Sequence, residues 1–330
     1  MLKEVKMIIG VVKEVLLNEK RVAITPDITK KLTDKSINVL IEKNAGIEAG
    51  FTDDDFIKNG AEIVSSADKI YNDSSVIFKI WAPQKDELKR HKYIPWTIAD
   101  FSRFTEQHKI NFRAFALDKI PRISRAQNMD ILSSQNNLSG YKAAITAINN
   151  INRSSSMMIT AAGTLLPLKI LIWGLGVAGL QAAATLKRLG VKVYASDIRE
   201  EAVEQAVSVG ATFISSENIL TELSDFDIII TAAGIYGSSP ILIDKQVYSH
   251  ISPSTILVDI SGNIDNKLCS PNVIRNYNFC SELSYSASIL FANNIYNFFC
   301  YVYDFSKQEI NLDFNDEIIN QTYIGERKNG

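Results

Sequence analysis

Residues 168–197 read LKILIWGLGVAGLQAAATLKRLGVKVYASD, and this stretch decides the fold. An apolar strand is predicted over 169–173 and leads directly into a glycine-rich turn. An alanine-rich helix follows, predicted over 180–189, and a second apolar strand is predicted over 191–195. Strand, glycine turn, helix and strand in this order predict a βαβ unit with parallel strands.

Three glycines in the turn form the pattern G-x-G-x-x-G: Gly174, Gly176 and Gly179. Gly174 permits the tight turn, Gly176 lets a pyrophosphate approach backbone N–H groups, and Gly179 lets helix and strand pack closely. The N-terminus of the following helix supplies partial positive charge for the phosphates. The context predicts a dinucleotide site, and the alternative is a turn whose glycines serve packing alone.

Asp197 ends the second strand about 20 residues after the glycines, where an acidic side chain accepts hydrogen bonds from the adenosine ribose. A 2′-phosphate there would meet like-charge repulsion, which favours NAD over NADP, although nearby Arg199 offsets part of that charge. A strand predicted over 228–232 leads into residues 231–234, where the cofactor would pass. Other residues expected at the cofactor are Val177, Ile198, Thr231 and Ala232.

The rest of the chain alternates short apolar strands with helices, which predicts two Rossmann-like parallel-sheet domains with a cleft between them. The first domain would be discontinuous, at 1–140 plus 290–330, and the NAD(H)-binding domain would cover 141–289. Helices are predicted near 139–152 and 286–304, and the second would return the chain to the first domain. Further predicted elements are strands at 7–13, 38–42, 76–80, 212–214 and 256–260, and helices at 25–34 and 52–59.

Composition excludes several classes of function. The net charge of −2 over 330 residues indicates no nucleic-acid partner. No apolar run reaches the roughly 18 residues of a membrane span, so we expect no direct membrane insertion, and no signal peptide is evident. Three widely spaced cysteines and three histidines form no disulfide framework or metal-binding spacing, which favours a reducing cytoplasm and no metal.

Residues 121–135, PRISRAQNMDILSSQ, carry an unusual density of hydrogen-bonding side chains. The stretch reads poorly as a buried strand and weakly as an amphipathic helix. It is either a solvated connection or a loop that grips a ligand.

The polar stretch belongs to a longer segment, PRISRAQNMDILSSQNNLSGYKA at 121–143, that carries a family resemblance. Together with TAAG at 160–163, GLGVAGLQAAATLKRLG at 174–190, NEKRVAITP at 18–26 and GAEIV at 60–64, it resembles the NAD(H)-binding domain I of proton-translocating NAD(P) transhydrogenase. The best match is the separate alpha-1 subunit. The wider group is the alanine dehydrogenase/transhydrogenase superfamily, and the resemblance spans nearly the whole chain.

The resemblance implies roles for four residues of the polar stretch. Arg122 and Asp130 would form an ion pair and hold the nicotinamide carboxamide, and Ser133 would hydrogen-bond nearby. Gln127 would lie at the contact with an NADP-binding subunit. Hydride transfer between two nicotinamides needs close, dry, oriented rings and no general acid or base.

The resemblance also implies the function and assembly of the chain. It would be a homodimeric subunit that gives hydride from NADH to NADP⁺ bound on a partner, with a further membrane subunit that translocates protons. It would be cytoplasmic, held at the membrane through its partners, and inactive without them.

Two segments depart from the family pattern. Residues 210–227 are short, so a mobile loop that folds over the adenosine half of NAD is missing. The segments GIYGSSPIL at 234–242 and SGNIDNKLC at 261–269 are altered. These departures leave open an NAD-binding or scaffold subunit with weakened catalysis.

Alanine dehydrogenase shares the fold and is the other alternative. Its carboxylate-binding arginine and lysine correspond to Arg21 and Lys79. Its histidine is absent from YIPWTIADFS at 93–102, and Asn263 stands where the family has an aspartate. Loss of the proton-transfer group typically costs about 10²–10⁴ in rate, so we expect Arg21 and Lys79 to be structural or charge-pairing residues.

Overall fold

The structure, a computed structural model, describes residues 7–90, 95–104, 113–234 and 238–325. The strands in these ranges, numbered in chain order, are β1 Ile8–Val11, β2 Asn38–Glu42, β3 Glu62–Val64, β4 Val76–Trp81, β5 Trp96–Asp100, β6 Ala114–Ala116, β7 Met158–Thr160, β8 Gly163–Leu165, β9 Lys169–Trp173, β10 Lys192–Ser196, β11 Thr212–Phe213, β12 Ile228–Thr231, β13 Ile256–Asp259, β14 Val273–Arg275, β15 Tyr303–Asp304, β16 Glu309–Ile310 and β17 Tyr323–Ile324. The α-helices are α1 Pro26–Thr33, α2 Asp53–Lys58, α3 Ala67–Asp73, α4 Lys85–Arg90, α5 Ile131–Asn149, α6 Val177–Arg188, α7 Ala202–Ser208, α8 Ile219–Glu222, α9 Lys245–Tyr248, α10 Ser284–Val302 and α11 Glu317–Thr322.

The chain divides into two compact units, and the first is discontinuous. Unit 1 is Met1–Gln135 with Leu283–Gly330, and unit 2 is Asn136–Glu282. The predicted α/β class with two Rossmann-like parallel-sheet domains is confirmed. The unit bounds lie a few residues from the predicted 1–140, 141–289 and 290–330, because the division falls inside α5 and just before α10.

Unit 1 is built on a seven-stranded sheet in the order β17-β6-β5-β4-β1-β2-β3. Every neighbouring pair is parallel except β17 with β6. The central strand β4 is buried along its whole length, as a strand covered on both faces should be. The returning helix predicted near 286–304 is α10, and it packs its phenylalanines into this core.

Unit 2 is built on a six-stranded parallel sheet in the order β11-β10-β9-β12-β13-β14. Chain order runs outward in one direction from β9 to β11 and in the other from β12 to β14. The switch point therefore lies between β9 and β12, where doubly wound sheets bind their ligands. The strand predicted over 169–173 is β9, with its three middle residues fully buried.

Three local predictions were wrong or incomplete. The polar stretch 121–135 is not a single loop, because Ser124–Met129 is a 3₁₀ helix and α5 begins at Ile131. Helix α6 begins at Val177 rather than at residue 180, since Gly176 already serves as its N-cap. Strand β1 covers only Ile8–Val11 of the predicted 7–13.

Candidate dinucleotide site and the polar segment

The three glycines of unit 2 have the environments that their predicted roles require. Gly174 has a φ of +106°, and a Cβ there would lie 2.6 Å from backbone atoms of Ala232 and Ala233. A Cβ on Gly179 would lie 1.9 Å from the carbonyl oxygen of Gly174. At Gly176 a Cβ would meet no atom within 4 Å. Two glycines thus close the turn by tight packing, and the third leaves its backbone open.

The open glycine lies at the N-terminus of a helix of twelve residues, α6. No acidic side chain occupies its first turn, and no side chain caps its first N–H groups. Val177, the first helical residue, is half-buried. Free N–H groups and the helix dipole make this end suited to a phosphate group.

Asp197 lies at the end of β10 and is already engaged. Its Oδ2 accepts a hydrogen bond of 2.7 Å from the Leu175 N–H, and its Oδ1 accepts from the backbone and Nε of Arg199 at 3.0 Å each. Burial raises the pKa of Asp197, but hydrogen bonds from Arg199 and Leu175 outweigh it, and the pKa is lowered overall. A ribose that binds Asp197 would displace the Arg199 guanidinium, and the charge argument for NAD over NADP is correspondingly weaker. Ile198, beside it, is 92% exposed, as a platform for an adenine ring would be.

The segment after β12 meets the glycine turn. Thr231 is fully buried and donates its hydroxyl to Asp259 Oδ1 at 3.1 Å. Ala232 donates its backbone N–H to the carbonyl of Trp173 at the end of β9, at 2.8 Å. The structure therefore brings the predicted cofactor residues Thr231 and Ala232 to the switch point beside Gly174.

Two residues of unit 2 that the sequence reasoning did not assign to the site brace this segment. Asp259, fully buried at the end of β13, accepts hydrogen bonds from the backbone N–H groups of Ser261, Gly262, Asn263 and Ile264 at 2.8–3.2 Å. Asn263, also fully buried, holds the backbone of Ala233. An aspartate directly after a buried parallel strand is the sequence signal that could have found this hub.

A third overlooked residue is Gly140 in α5. A Cβ there would lie 2.0 Å from the carbonyl oxygen of Ala178 in the first turn of α6. Only glycine allows these two helices of unit 2 to approach so closely. The packing fixes the helix end that would face a phosphate.

In unit 1, the predicted nicotinamide residues are only partly joined. Asp130 accepts hydrogen bonds from the backbone N–H of Ser133 at 2.9 Å and from its hydroxyl at 2.5 Å. Arg122 and Gln127 are exposed. No ion pair joins Arg122 to Asp130 among the residues that the structure describes, so the expected pair is not seen. The four residues belong to unit 1 and the glycine turn to unit 2.

The C-terminal segment of unit 1 anchors the polar segment from behind. The Arg125 guanidinium pairs with Asp316 at 2.7 Å and donates to the Tyr301 hydroxyl at 2.9 Å. The carbonyl of Asn128 accepts from the side-chain amides of Asn294 and Asn297 at 2.9 and 3.0 Å. The backbone of the 3₁₀ helix is therefore fixed while its Gln127 side chain faces outward.

Arg21 is neutralised by its surroundings in unit 1. Its guanidinium donates to both carboxylate oxygens of Glu19, at 2.8 and 2.6 Å, and to Gln135 Oε1 at 2.8 Å. It also lies over the ring of Trp81, whose indole N–H donates to the same glutamate. This agrees with the prediction that Arg21 is a charge-pairing residue.

Lys79 is fully buried between two carboxylates, Glu87 at 3.0 Å and Glu14 at 3.6 Å. Burial raises the pKa of Glu14 to about 7, with repulsion from other carboxylates adding to the effect and Lys79 opposing it. Burial next to Asp118 raises the pKa of Asp100 to about 6. The cations of this region are thus balanced by carboxylates of the same chain.

A parallel sheet with a glycine turn of this geometry at its switch point defines a Rossmann-type dinucleotide-binding protein. Family models for alanine dehydrogenase/PNT match the chain twice, with the N-terminal domain over residues 10–139 and the C-terminal domain over 143–328. The chain therefore belongs to the alanine dehydrogenase/PNT family. The resemblance inferred from the sequence motifs is confirmed.

Relatives and solved structures agree with this assignment. The chain is 34% identical to the first of the separate chains that make up NAD(P) transhydrogenase subunit alpha in Rhodospirillum rubrum, with 96% of each chain covered. It is 25% identical to alanine dehydrogenase of Bacillus subtilis, over 77% of this chain and 70% of that protein. Among solved structures it is similar to the transhydrogenase from Sinorhizobium meliloti, with a TM-score of 0.83, 34% identity, and coverage of 91% of this chain and 96% of that one.

Two further findings bear on the sequence expectations. The alignment with the Rhodospirillum rubrum protein spans 370 residues, more than the 330 of this chain, so that relative carries residues that this chain lacks. Within residues 7–90, 95–104, 113–234 and 238–325, no helix has the length and apolar character needed to cross a membrane.

Proposed function

We propose that this chain is the NAD(H)-binding subunit of an NAD(P) transhydrogenase and gives hydride from NADH to NADP⁺ held by a partner subunit. The observation that carries the proposal is the glycine turn of unit 2. Its backbone is open at Gly176, beside a free helix N-terminus, and locked at Gly174 and Gly179 by contacts that no larger residue permits. This arrangement suits the pyrophosphate of a dinucleotide.

The polar segment supplies the second half of the proposal. Arg122, Asp130 and Ser133 would orient the nicotinamide carboxamide, and Gln127 would face the NADP-binding partner. A segment braced from behind by Arg125 suits this task, because hydride transfer depends on holding two rings in near-attack geometry. No proton donor is needed, and the residues act by orientation and exclusion of water.

We also propose that the chain is a homodimer. Strands β7 and β8 form a two-stranded hairpin of unit 2 whose strand residues are all exposed, including Ile159 at 75%. An isolated two-stranded hairpin is only marginally stable in water, and exposed apolar patches mark interaction sites. A second copy that covers this hairpin would stabilise both. Light scattering should then show a dimer, which Ile159→Lys converts to a monomer.

The proposed cellular place follows from the assembly. The chain would work in the cytoplasm, attached to the membrane through NADP-binding and membrane subunits. Fractionation with and without those subunits would test this, because only their presence should move the chain to the membrane fraction.

Alanine dehydrogenase activity has weaker support. Its arginine and lysine correspond to Arg21 and Lys79, which already pair with Glu19, Glu87 and Glu14 in this chain. Oxidation of NADH by the chain with pyruvate and ammonium tests this alternative, and we expect none. A weakened NAD-binding or scaffold subunit is the remaining alternative.

Fluorescence titration of the purified chain with NADH, and separately with NADPH, tests the proposal. Saturable binding of NADH, with weaker binding of NADPH, is expected. Hydride transfer should then appear when an NADP-binding partner subunit is added. Binding of neither nucleotide would refute the proposed function and favour a scaffold role.

A further inference from the structure

Asn263 is a fully buried side chain with three hydrogen bonds to backbone groups. Its Oδ1 accepts from the N–H of Ala233 at 3.0 Å, and its Nδ2 donates to the carbonyl of Ala233 and to that of Pro240, both at 2.8 Å. The side chain thus ties the residue two positions beyond β12 to the chain seven residues further on.

Asp259 fixes the position of this amide. Its Oδ1 accepts the Asn263 N–H at 2.9 Å, together with the hydroxyl of Thr231, and Ser261 and Gly262 N–H groups fill its remaining capacity. The carboxylate therefore links the ends of β12 and β13 to the turn that carries Asn263. A buried carboxylate with this many donors is strongly held in place.

The peptide that Asn263 grips forms one wall of the glycine turn. A Cβ on Gly174 would lie 2.6 Å from the nitrogen of Ala233. Asp197, at the end of β10, lies on the other side of β9 in the sheet order. The adenosine half of a bound dinucleotide would lie toward β10, and the other half would cross toward β12. Asn263 acts on the second half.

We propose that Asn263, held by Asp259, is a positioning residue for the nicotinamide half of bound NAD(H), an inference that rests on the proposed function. Asn263 would not touch the cofactor; it would fix the Ala232–Ala233 backbone that does. The contacts require one acceptor and two donors on one side chain, which an amide has and a carboxylate lacks. The family's acidic residue at this place would leave the carbonyls of Ala233 and Pro240 unpaired.

Asn263→Asp is the first test, because it keeps the shape and the acceptor and removes both donors. We expect the dissociation constant for NADH to rise about tenfold or more, equal to about 1.4 kcal/mol. Binding of 5′-AMP, measured by calorimetry, should stay within about twofold, because that ligand occupies only the half next to Asp197. Asn263→Ser, which keeps one donor, should give an intermediate loss of NADH affinity and is the variant to use if the aspartate variant does not fold.

Asn272→Asp is the matched control. Asn272 also donates its side-chain amide to a proline carbonyl of unit 2, that of Pro253, but at the amino-terminal edge of the sheet. This variant should lower the melting temperature of unit 2 without changing NADH affinity.

The outcomes separate the two proposals. Loss of NADH affinity in both Asn263 variants, with 5′-AMP binding retained and the control unchanged, supports the positioning role. Unchanged NADH affinity, parallel loss of both ligands, or equal loss in Asn272→Asp overturns it while the wild-type chain still binds NADH. Failure of the wild-type chain to bind NADH overturns the proposed function, and this inference with it.

Discussion

Glu14 should make unit 1 less stable as the pH rises through neutrality. Burial disfavours its ionised form, and Glu19 and Glu87 add repulsion. Lys79 and the hydrogen bond from the Ile80 N–H, at 2.7 Å, oppose this effect but do not cancel it. The result is a pKa of about 7 in the folded chain, compared with an ordinary value of 4.5.

The sign and size follow from proton linkage. A carboxyl whose pKa is raised by folding contributes stability that is fully present below about pH 4.5 and is lost as the pH rises through about 7. The difference between the two pKa values of Glu14 corresponds to about 3.4 kcal/mol, since a tenfold change in proton affinity is about 1.4 kcal/mol. About 2.5 kcal/mol of this is lost between pH 5 and pH 8.

Urea unfolding of the wild-type chain and of Glu14→Gln at pH 5, 6, 7 and 8 measures this loss. Glutamine keeps an acceptor for the Ile80 N–H but cannot ionise, so the variant should gain on the wild type by about 2.5 kcal/mol across this range. Asp100, whose pKa is raised to about 6, titrates in both proteins and cancels in the difference. Carboxyls with lowered pKa values, such as Asp197, titrate below the range. A difference that stays constant within about 0.5 kcal/mol from pH 5 to pH 8 would refute the argument.

Three further predictions concern the candidate site. Gly176→Ala should keep its melting temperature and lose NADH affinity, whereas Gly179→Ala should lower the melting temperature by forcing a Cβ to 1.9 Å from a backbone oxygen, and the reverse pattern would contradict the roles assigned to them. Asp130→Asn and Arg122→Ala should slow hydride transfer to an NADP-binding partner by about tenfold or more while 5′-AMP binding changes little, and an unchanged transfer rate would exclude the clamp. Arg125→Leu removes the ion pair behind the 3₁₀ helix and should increase amide hydrogen exchange in 124–130 at unchanged NADH affinity, whereas unchanged exchange would show that the pair is not an anchor.

Local patterns predicted the elements that local forces determine. Strand β9 and the three glycine roles followed from residues within one stretch, because strand, turn and helix start are set by neighbours in sequence. The start of α6 was placed three residues late because Gly176 was assigned to the turn, although a glycine can also serve as an N-cap.

Long-range contacts were not predictable from the same patterns. Arg125 and Asp316 are 191 residues apart, and nothing near Arg125 in the sequence indicates its partner. Asn263 was noticed only as a departure from a family pattern, whereas its contact with Ala233 spans 30 residues and depends on the strand order. Such contacts depend on which strands become neighbours, and this is fixed only when the whole sheet has formed.

The replacements in this chain share one chemical direction. Arg21 and Lys79 are neutralised by neighbouring carboxylates, and the acidic position at 263 holds an amide that binds only backbone groups. Each change removes a group that could bind a carboxylate substrate or move a proton, and each leaves a group that fixes the protein's own structure. Hydride transfer between two nicotinamides needs no proton transfer and depends on rigid positioning. The same replacements that weaken the case for an amino-acid dehydrogenase are therefore compatible with the proposed transhydrogenase role.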